Sequence, residues 1–246
     1  MTMTGERIAV LADIHGNIWA LDAVLAEIDR QGITSIVDLG DSTWGPFAPA
    51  ETAARLLARQ IPSIAGNCDR LMLDPTAEVG PSLQHARAEL TEEHLAWVRS
   101  LPPTRVVGDL FLCHGTPADD DIYLLETPTP NGSVLRVASE IAAELAGIAQ
   151  PVVLCGHSHI PRVVRLTSGH LVVNPGSVGM QGYDMDSYIM ESGSPHARYA
   201  VLTRRDVGWD VALHAVAYDW EAAAQAAERN GQSDRARIER TGRVRA

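Results

Sequence analysis

Seven potential metal ligands, spread over five short motifs, constrain the fold of this chain more than any other feature of its sequence. Most of the motifs end an apolar run that predicts a β-strand, and a glycine flanks each of them. Side chains at strand ends, on loops that glycine allows to turn sharply, can converge at one edge of a sheet. The seven residues are Asp13 and His15 in DIHGN, Asp41 in LGDS, Asn67 in GNCD, His114 in CHG, and His157 and His159 in GHSH.

The donor atoms of these side chains favour a particular class of metal site. Asp, His and Asn supply mixed oxygen and nitrogen donors, which suit a pair of borderline divalent cations. A structural zinc site, in contrast, usually has four ligands and favours thiolates. Asp13 and His15 are two residues apart, so in an extended segment they share a face and could hold one ion together. His157 and His159 have the same spacing, and Asp41 could bridge two ions with its two oxygens. The set indicates a two-metal hydrolase.

Two bridged ions about 3.5–4 Å apart can deprotonate a shared water and hold a phosphoryl oxygen during in-line displacement. The expected nucleophile is therefore a hydroxide that bridges the ions, and no serine or cysteine nucleophile is required. The expected cofactors are two divalent metal ions.

Strand and helix patterns alternate through the first third of the chain. Such βαβαβ alternation predicts a parallel sheet with its functional loops at the carboxyl ends of the strands. Asp13, Asp41 and Asn67 lie where the three predicted strands end. The predicted strands are 7–12, 34–40 and 61–66, and the predicted helices between them are 17–31 and 50–60.

The rest of the chain is assigned from its periodicity and its turn residues. We expect one domain over residues 1–246, because no linker divides the sequence. Its predicted parts are a helical insertion at about 68–101, a hairpin over 104–115, a long loop at about 116–133, a helix over 134–146, a strand over 151–156, two strands over 163–176 joined at Ser168–Gly169, a hairpin over 199–218 and a helical tail at about 219–246.

Charge and cysteine content exclude some classes of function. The formal charge of −11 argues against a nucleic-acid or anionic membrane surface, because both require basic patches. No apolar run approaches the roughly 18–20 residues of a membrane span, and no secretory signal is recognisable, so we expect a cytoplasmic protein. The three cysteines make a disulfide framework unexpected.

The tail carries six arginines from Arg229 onward. One interpretation is a solvated helix or a packing arm. The alternative is a contact with an acidic partner or a neighbouring subunit, and an apolar face near Trp209 or Trp220 leaves a homo-oligomer open.

Taken together, the motifs DIHGN, LGDSTWGP, GNCD, CHG, GHSHIP and VNPGSVG resemble the calcineurin-like metallophosphoesterases, in particular their small bacterial and archaeal phosphodiesterase-like members. The resemblance covers about residues 7–180. It implies an α/β fold, a four-layer α/β/β/α sandwich of two mixed β-sheets flanked by helices. It also implies one ion held by Asp13, His15, Asp41 and His159, and another held by Asp41, Asn67, His114 and His157. Manganese is the favoured ion, with iron, nickel, zinc and magnesium as alternatives.

Cys68 departs from the pattern of this family. Many members have a histidine directly after the asparagine ligand, where it can protonate the leaving group. Without it, hydrolysis should depend on leaving groups that need little protonation, or on another proton donor. His85 could be that donor or a packing residue. The departure favours phosphodiesters or anhydrides over phosphomonoesters.

Outside the ligand set, we expect Asn17, Cys68 and Arg70 to contact substrate. Asn17 begins a predicted helix, whose amides favour anions, but it could equally serve as the N-cap. Arg70 could bind phosphate through two hydrogen bonds, or could form a surface salt bridge. The 116–133 loop is expected to shape substrate choice.

These features predict a metal-dependent phosphoesterase that acts on a small phosphorylated substrate, a phosphodiester or a nucleotide. Two alternatives keep the fold without turnover: a scaffold or interaction protein, and a sensor that binds a nucleotide. Known scaffolds of this type have lost histidine ligands, whereas all seven ligand positions are intact here.

Overall fold

The first sheet contains the longest strands of the protein. In the computed structural model, which describes residues 5–78 and 80–245, its strand order is β13-β12-β1-β2. The N-terminal strand pairs in parallel with β2 and antiparallel with β12. These strands are β1 (Arg7–Leu11), β2 (Ser35–Asp38), β12 (Ala197–Arg205) and β13 (Gly208–Val216).

A second sheet has the strand order β3-β4-β7-β9-β8, with β4, β7 and β9 parallel to one another. Two further hairpins, β5–β6 and β10–β11, lie outside the main sheets. The strands are β3 (Thr104–Val107), β4 (Leu110–Cys113), β5 (Glu126–Thr129), β6 (Gly132–Leu135), β7 (Val152–Leu154), β8 (Arg162–Arg165), β9 (Leu171–Asn174), β10 (Gly182–Met185) and β11 (Tyr188–Glu191).

Helices flank the sheets, and the first of them begins at the predicted N-cap, where the Asn17 side chain accepts a hydrogen bond from the Ala20 amide. The helices are α1 (Ile18–Arg30), α2 (Pro49–Arg59), α3 (Asn67–Leu73), α4 (Pro81–Glu89), α5 (Glu92–Ser100), α6 (Ala138–Glu144), α7 (Trp220–Arg229) and α8 (Ser233–Thr241).

Alternating side chains along the strands build the layers, because successive residues of a strand point to opposite faces. Ile8 and Val10 pack between the two sheets against the second sheet's Leu112. Ala9 and Leu11 face the other way, into a cluster with the buried residues Leu21, Val24, Leu25 and Ile28 of α1. On the far face of the second sheet, β7 and β9 pack against Ile141 and Leu145 at α6. The predicted four-layer α/β/β/α sandwich is confirmed.

The prediction of a third strand over residues 61–66 is wrong. Only one parallel bridge forms in this segment, between Asp38 and Ser63. Pro62 lacks the backbone N–H that a ladder needs, so regular pairing does not extend along this edge. The segment nevertheless follows β2 and delivers Asn67 to the end of the sheet.

The loop predicted at 116–133 contains a strand, β5, and the helix predicted over 134–146 begins only at Ala138. The Gly132–Leu135 segment pairs with β5 as the second strand of a hairpin, and β5–β6 packs beside β11. Tertiary pairing therefore overrides the local helical pattern here. The β10–β11 hairpin was not predicted. Residues 1–4, 79 and 246 of the predicted domain lie outside the described residues.

The C-terminal tail forms two helices that pack against each other. Arg240 of α8 pairs with Glu221 and Glu228 of α7, so this arginine serves an internal contact. This contact supports the packing-arm interpretation of the tail. Within residues 5–78 and 80–245, every helix is too short or too polar to span a membrane.

Candidate metal centre

Most of the predicted ligands adopt a left-handed backbone conformation, which residues other than glycine rarely adopt. Left-handed φ angles are uncommon for such residues and cluster at functional sites, where the surroundings hold them in place. Five of the seven predicted ligands have them: Asp13 (55°), His15 (51°), Asp41 (55°), His157 (66°) and His159 (60°). The backbone turns sharply at the ligands themselves.

The flanking glycines were expected to provide sharp turns, but most of them provide room for close packing between loops. Gly16 and Gly40 have positive φ angles, but Gly66, Gly115 and Gly156 do not. A Cβ atom on Gly66 would lie 2.2 Å from Oδ1 of Asp41. These three glycines are therefore required for close approach between loops, and the expectation that each one frees a turn is wrong.

The loops after β1 and β7 bring three predicted ligands together. Nε2 of His159 lies 3.3 Å from Oδ1 of Asp13 and 3.1 Å from Nε2 of His15. The donor atoms of these three residues all lie within 4.8 Å of one another, and the side chains are buried.

A second group forms around Asp41, at the end of the segment that follows β2. Nε2 of His114 lies 3.3 Å from Oδ2 of Asp41 and 3.1 Å from Oδ1 of Asn67. His157 completes a cluster with Asp41 and His114. Asp41 also lies 4.0 Å from Nε2 of His15, so its carboxylate stands between the two groups. All seven predicted ligands thus converge at one site.

Hydrogen bonds to backbone carbonyl oxygens fix the orientation of three of the imidazole rings. Nδ1 of His15, His114 and His159 lies 2.8, 2.7 and 2.6 Å from the carbonyl oxygens of Trp44, Leu39 and Met180, respectively. Because carbonyls only accept, each Nδ1 carries the proton, and in the neutral ring the Nε2 lone pair is left to face the centre.

This orientation makes the donor set fit a cation. In the tautomers that these carbonyls fix, the Nε2 atoms of His15 and His159 face each other as two acceptors at 3.1 Å. Nε2 of His114 differs, because the Asp41 carboxylate favours its protonated form, and it donates to Oδ1 of Asn67 at the same distance. Contacts between acceptors repel unless a proton or a metal ion lies between them. Donors about 2.0–2.2 Å from one ion lie roughly 3 Å apart when they are at right angles, which matches these separations.

Burial and ion pairing act on the ionisable groups of the centre. Burial opposes ionisation of Asp41, but the facing His114 outweighs it and holds the pKa of Asp41 well below its ordinary range. Burial likewise opposes protonation of His114, yet the Asp41 carboxylate raises its pKa to about 10. Burial lowers the pKa of both His15 and His157 to about 4. The carboxylates thus attract positive charge into a buried site.

Several residues that position the ligands were not predicted. Asp69, in the GNCD motif, accepts hydrogen bonds from the amides of Asp41 (2.8 Å) and Gly66 (3.0 Å), which ties two ligand loops together. Ser177, in VNPGSVG, donates to the carbonyl oxygen of Asp13 at 2.7 Å. Both residues lie within the quoted motifs, so the motif positions were the available signal.

A cavity of about 420 Å³ opens beside the ligands, with tyrosines along its wall. The hydroxyl of Tyr123 lies 2.8 Å from the hydroxyls of both Tyr183 and Tyr188. The Tyr123 ring stacks on His157, and Tyr183 packs edge-on against His159. These rings restrict the orientation of two predicted ligands. Tyr123 belongs to the 116–133 segment that was expected to shape substrate choice.

Asn17 is fully buried and its side chain is occupied. Its Oδ1 caps α1, and its Nδ2 donates to the carbonyl oxygen of Gly179 (3.0 Å) and to Glu239 (3.1 Å). The Asn17 side chain is not among those that line the cavity. These contacts favour the N-cap interpretation over a contact with substrate.

Glu239 makes a pH-dependent contribution to stability that can be measured. Burial raises its pKa from 4.5 to about 8, against the opposing hydrogen bonds of Tyr218 and Asn17 and the charge of Arg235. The folded state thus binds a proton more tightly than the unfolded chain. This contribution is full below pH 4.5 and disappears as the pH rises through about 8.

We therefore expect Glu239→Gln, which keeps the shape and cannot ionise, to remove part of the pH dependence of folding. Between pH 5 and pH 9 the wild-type free energy of unfolding should fall by roughly 4 kcal/mol more than that of the variant. Urea denaturation at both pH values measures the difference. Identical pH slopes for the two proteins would contradict the assignment.

Cys68 lines the cavity, and its amide donates to Oδ1 of Asp41 at 2.9 Å. Burial, followed by the charge of Asp41, raises the pKa of its thiol well above the ordinary range. His85 does not line this cavity, because its Nε2 lies 3.2 Å from both the carbonyl oxygen of Phe47 and the Asn230 amide. These contacts favour the packing role for His85.

Arg70 forms a two-point ion pair with Asp120, at 2.9 and 2.8 Å. Half of its side chain is exposed, and it borders a neighbouring pocket together with His114 and Thr116. The contact matches the surface salt bridge that the sequence left open. Among the described residues, Asp120 already occupies the donors that would bind phosphate.

Comparison with known proteins identifies the family of this chain. A family model for the calcineurin-like phosphoesterase superfamily domain matches residues 7–194, a range that contains all seven clustered residues. The chain is 25% identical to an uncharacterized protein of Methanocaldococcus jannaschii, over 93% of this chain and 94% of that protein. The crystal structure of a metallophosphoesterase from Sphaerobacter thermophilus shares the fold, with a TM-score of 0.73 at 24% identity, over 95% of this chain and 98% of that one. The chain belongs to the calcineurin-like phosphoesterase superfamily.

Proposed function

We propose that this protein is a phosphoesterase that uses two divalent metal ions to hydrolyse a phosphodiester or nucleotide-type substrate. Its superfamily is one of metal-dependent phosphoesterases. The observation that carries the proposal is the acceptor-to-acceptor contact at 3.1 Å between Nε2 of His15 and Nε2 of His159, together with the adjacent buried cluster of Asp41, His114 and His157. A cation between His15 and His159 would relieve the repulsion, and a second cation would take the place of the proton on Nε2 of His114.

The proposed ligand sets follow the two groups of side chains. Asp13, His15 and His159 form one cluster, and Asp41, His114 and His157 form the other. Asn67 joins the second set through its contact with His114. Because its carboxylate stands between the groups, Asp41 is the proposed ligand shared by both ions. We propose manganese as the ion, since the carboxylate and amide oxygens of the set suit it, with iron, nickel and zinc, which imidazoles suit, and magnesium as the alternatives.

When bound, divalent ions supply the positive charge that activates water and stabilises a phosphoryl group. The chain's own residues hold the site ready for this role. The carbonyl groups of Leu39, Trp44 and Met180 fix the ring orientations, so the donors need little rearrangement. The rings of Tyr123 and Tyr183 pack against His157 and His159 and hold these imidazoles in place.

We further propose a preference for phosphodiesters over phosphomonoesters. In the part of the chain that the structure describes, the histidines that line the cavity are His15, His157 and His159, all of them proposed ligands. Cys68 stands where many family members have a histidine, so no spare imidazole protonates the leaving group. Substrates with good leaving groups tolerate this loss best.

The test compares initial rates on bis-p-nitrophenyl phosphate and p-nitrophenyl phosphate. Each rate is measured on the protein as purified, after chelation and dialysis, and after manganese is restored. We expect chelation to abolish hydrolysis, manganese to recover it, and the diester to be hydrolysed faster. Turnover that persists in the fully stripped protein would exclude the metal role, and a faster monoester reaction would exclude the proposed preference. No turnover with any added metal would favour the scaffold or the nucleotide sensor.

A further inference from the structure

Helix α8 reaches the metal centre although it lies outside the matched family range of residues 7–194. Ala236 packs beside Phe47, in the segment that follows Asp41. Ile238 packs against Ile189 of β11. The helix therefore lies between the Asp41 loop and the β10–β11 hairpin, two segments that border the cavity.

A buried hydrogen-bond cluster holds α8 to the loop of the first motif. Glu239 accepts hydrogen bonds from the Tyr218 hydroxyl at 2.6 Å and from Nδ2 of Asn17 at 3.1 Å. Asn17 is only two residues after His15. Arg235 lies four residues before Glu239, so both side chains are on one face of the helix. The contact that anchors Glu239 thus also directs Arg235 toward the centre.

Arg235 extends into the cavity that His15, Asp41 and Cys68 line. There its Nη1 contacts only weak or neutral acceptors, the sulfur of Met180 (3.2 Å) and the carbonyl oxygen of Gly182 (3.3 Å). Among the described residues, no carboxylate forms an ion pair with it. Three other arginines of the tail differ in this respect, since Arg237, Arg240 and Arg243 each pair with an acidic residue.

This guanidinium has capacity for an anionic ligand. It has five N–H donors in a fork that matches phosphate geometry, and the contacts above use one of its nitrogens. Burial lowers its pKa, because the surrounding protein stabilises the positive charge less well than water does. An anion beside it would form charge-assisted hydrogen bonds in a partly desolvated site, where such bonds are strong.

We propose that Arg235 binds the phosphate group of the substrate beside the metal ligands, so that the C-terminal helix completes the substrate site. The proposal rests on the function proposed above for this cavity. It assigns the phosphate-binding role that the sequence placed on Arg70 to an arginine without a carboxylate partner. The C-terminal tail then contributes to the affinity for substrate as well as to packing.

The test uses Arg235→Gln, with Arg237→Gln as the matched control on the same helix. Calorimetry measures the dissociation constant of inorganic phosphate with and without manganese, and initial rates on bis-p-nitrophenyl phosphate give KM and kcat. We expect Arg235→Gln to raise both the phosphate dissociation constant and KM about 10- to 100-fold. Arg237→Gln should change neither value. Arg235→Lys should give intermediate values, because it keeps the charge but loses the fork.

The outcomes separate this proposal from the proposed function. Wild-type affinity for phosphate and an unchanged KM in Arg235→Gln would overturn the role of Arg235, whatever the catalytic rate. Phosphate binding that depends on Arg235 in a protein without turnover would support Arg235 and reject the enzyme. If Arg235→Gln does not fold, Arg235→Lys decides, and wild-type affinity in that variant overturns the proposal. A wild-type protein that binds no phosphate also overturns it.

Discussion

Replacing Asp41 by asparagine is expected to lower kcat on bis-p-nitrophenyl phosphate by roughly 10³-fold or more, which corresponds to about 4 kcal/mol of lost transition-state stabilisation. Asp41 is the side chain that stands between the two ligand groups, 3.3 Å from His114 and 4.0 Å from His15. Asparagine keeps the shape and can still accept the hydrogen bond from the Cys68 amide. The variant therefore removes mainly the negative charge that both proposed ions would share.

Metal content and folding are measured on the same sample. Mass spectrometry should find less bound manganese in Asp41→Asn than in the wild type, and the circular dichroism spectrum should be unchanged. The matched control is Asp184→Asn, which removes an exposed carboxylate that lines the same cavity. A near-normal rate in Asp41→Asn, with metal present, would contradict the ligand assignment.

Replacing Gly66 by alanine is expected to lower kcat by about 100-fold or more, because a small displacement of catalytic groups has an effect of that size. The new Cβ would lie 2.2 Å from Oδ1 of Asp41 and 2.8 Å from Cε1 of His114. These distances are too short for any real contact, so the carboxylate or the Gly66 loop must move. The φ angle of Gly66 is −101°, which alanine adopts freely, so backbone strain does not contribute.

Gly80→Ala provides a matched control for this substitution. Gly66 and Gly80 both occupy the N-cap position of a helix, and both have ordinary φ angles. A Cβ on Gly80 would meet nothing within 4 Å. Its kcat and metal content should therefore equal those of the wild type. Equal kcat values in the two variants would show that the close approach at Gly66 has no role in catalysis.

The fold could be predicted to different degrees in different parts of the chain. The strands around Asp13 and Asp41 were recognisable because each is a continuous apolar run that ends in a polar motif. Residues 61–66 have the same pattern but form a single bridge at Ser63, because local pattern does not reveal whether an edge is paired. The β5–β6 hairpin was missed because its Pro, Thr and Gly content is typical of loops and because residues 134–135 belong to a local helical pattern.

Residue types and their positions relative to apolar runs were sufficient to predict the family, the layered α/β class and the seven residues that converge. Their assignment as ligands stays a prediction. The positions of the sharp backbone turns could not be predicted in this way, since the left-handed φ angles fall on the proposed ligands themselves and are fixed by tertiary contacts. The three-dimensional packing set these turns. It also decided that Asn17 contacts Glu239, 222 residues away, and that Arg235 of the tail enters the cavity. Contacts between distant segments follow from how layers pack, and packing leaves no periodic or motif signal at either residue.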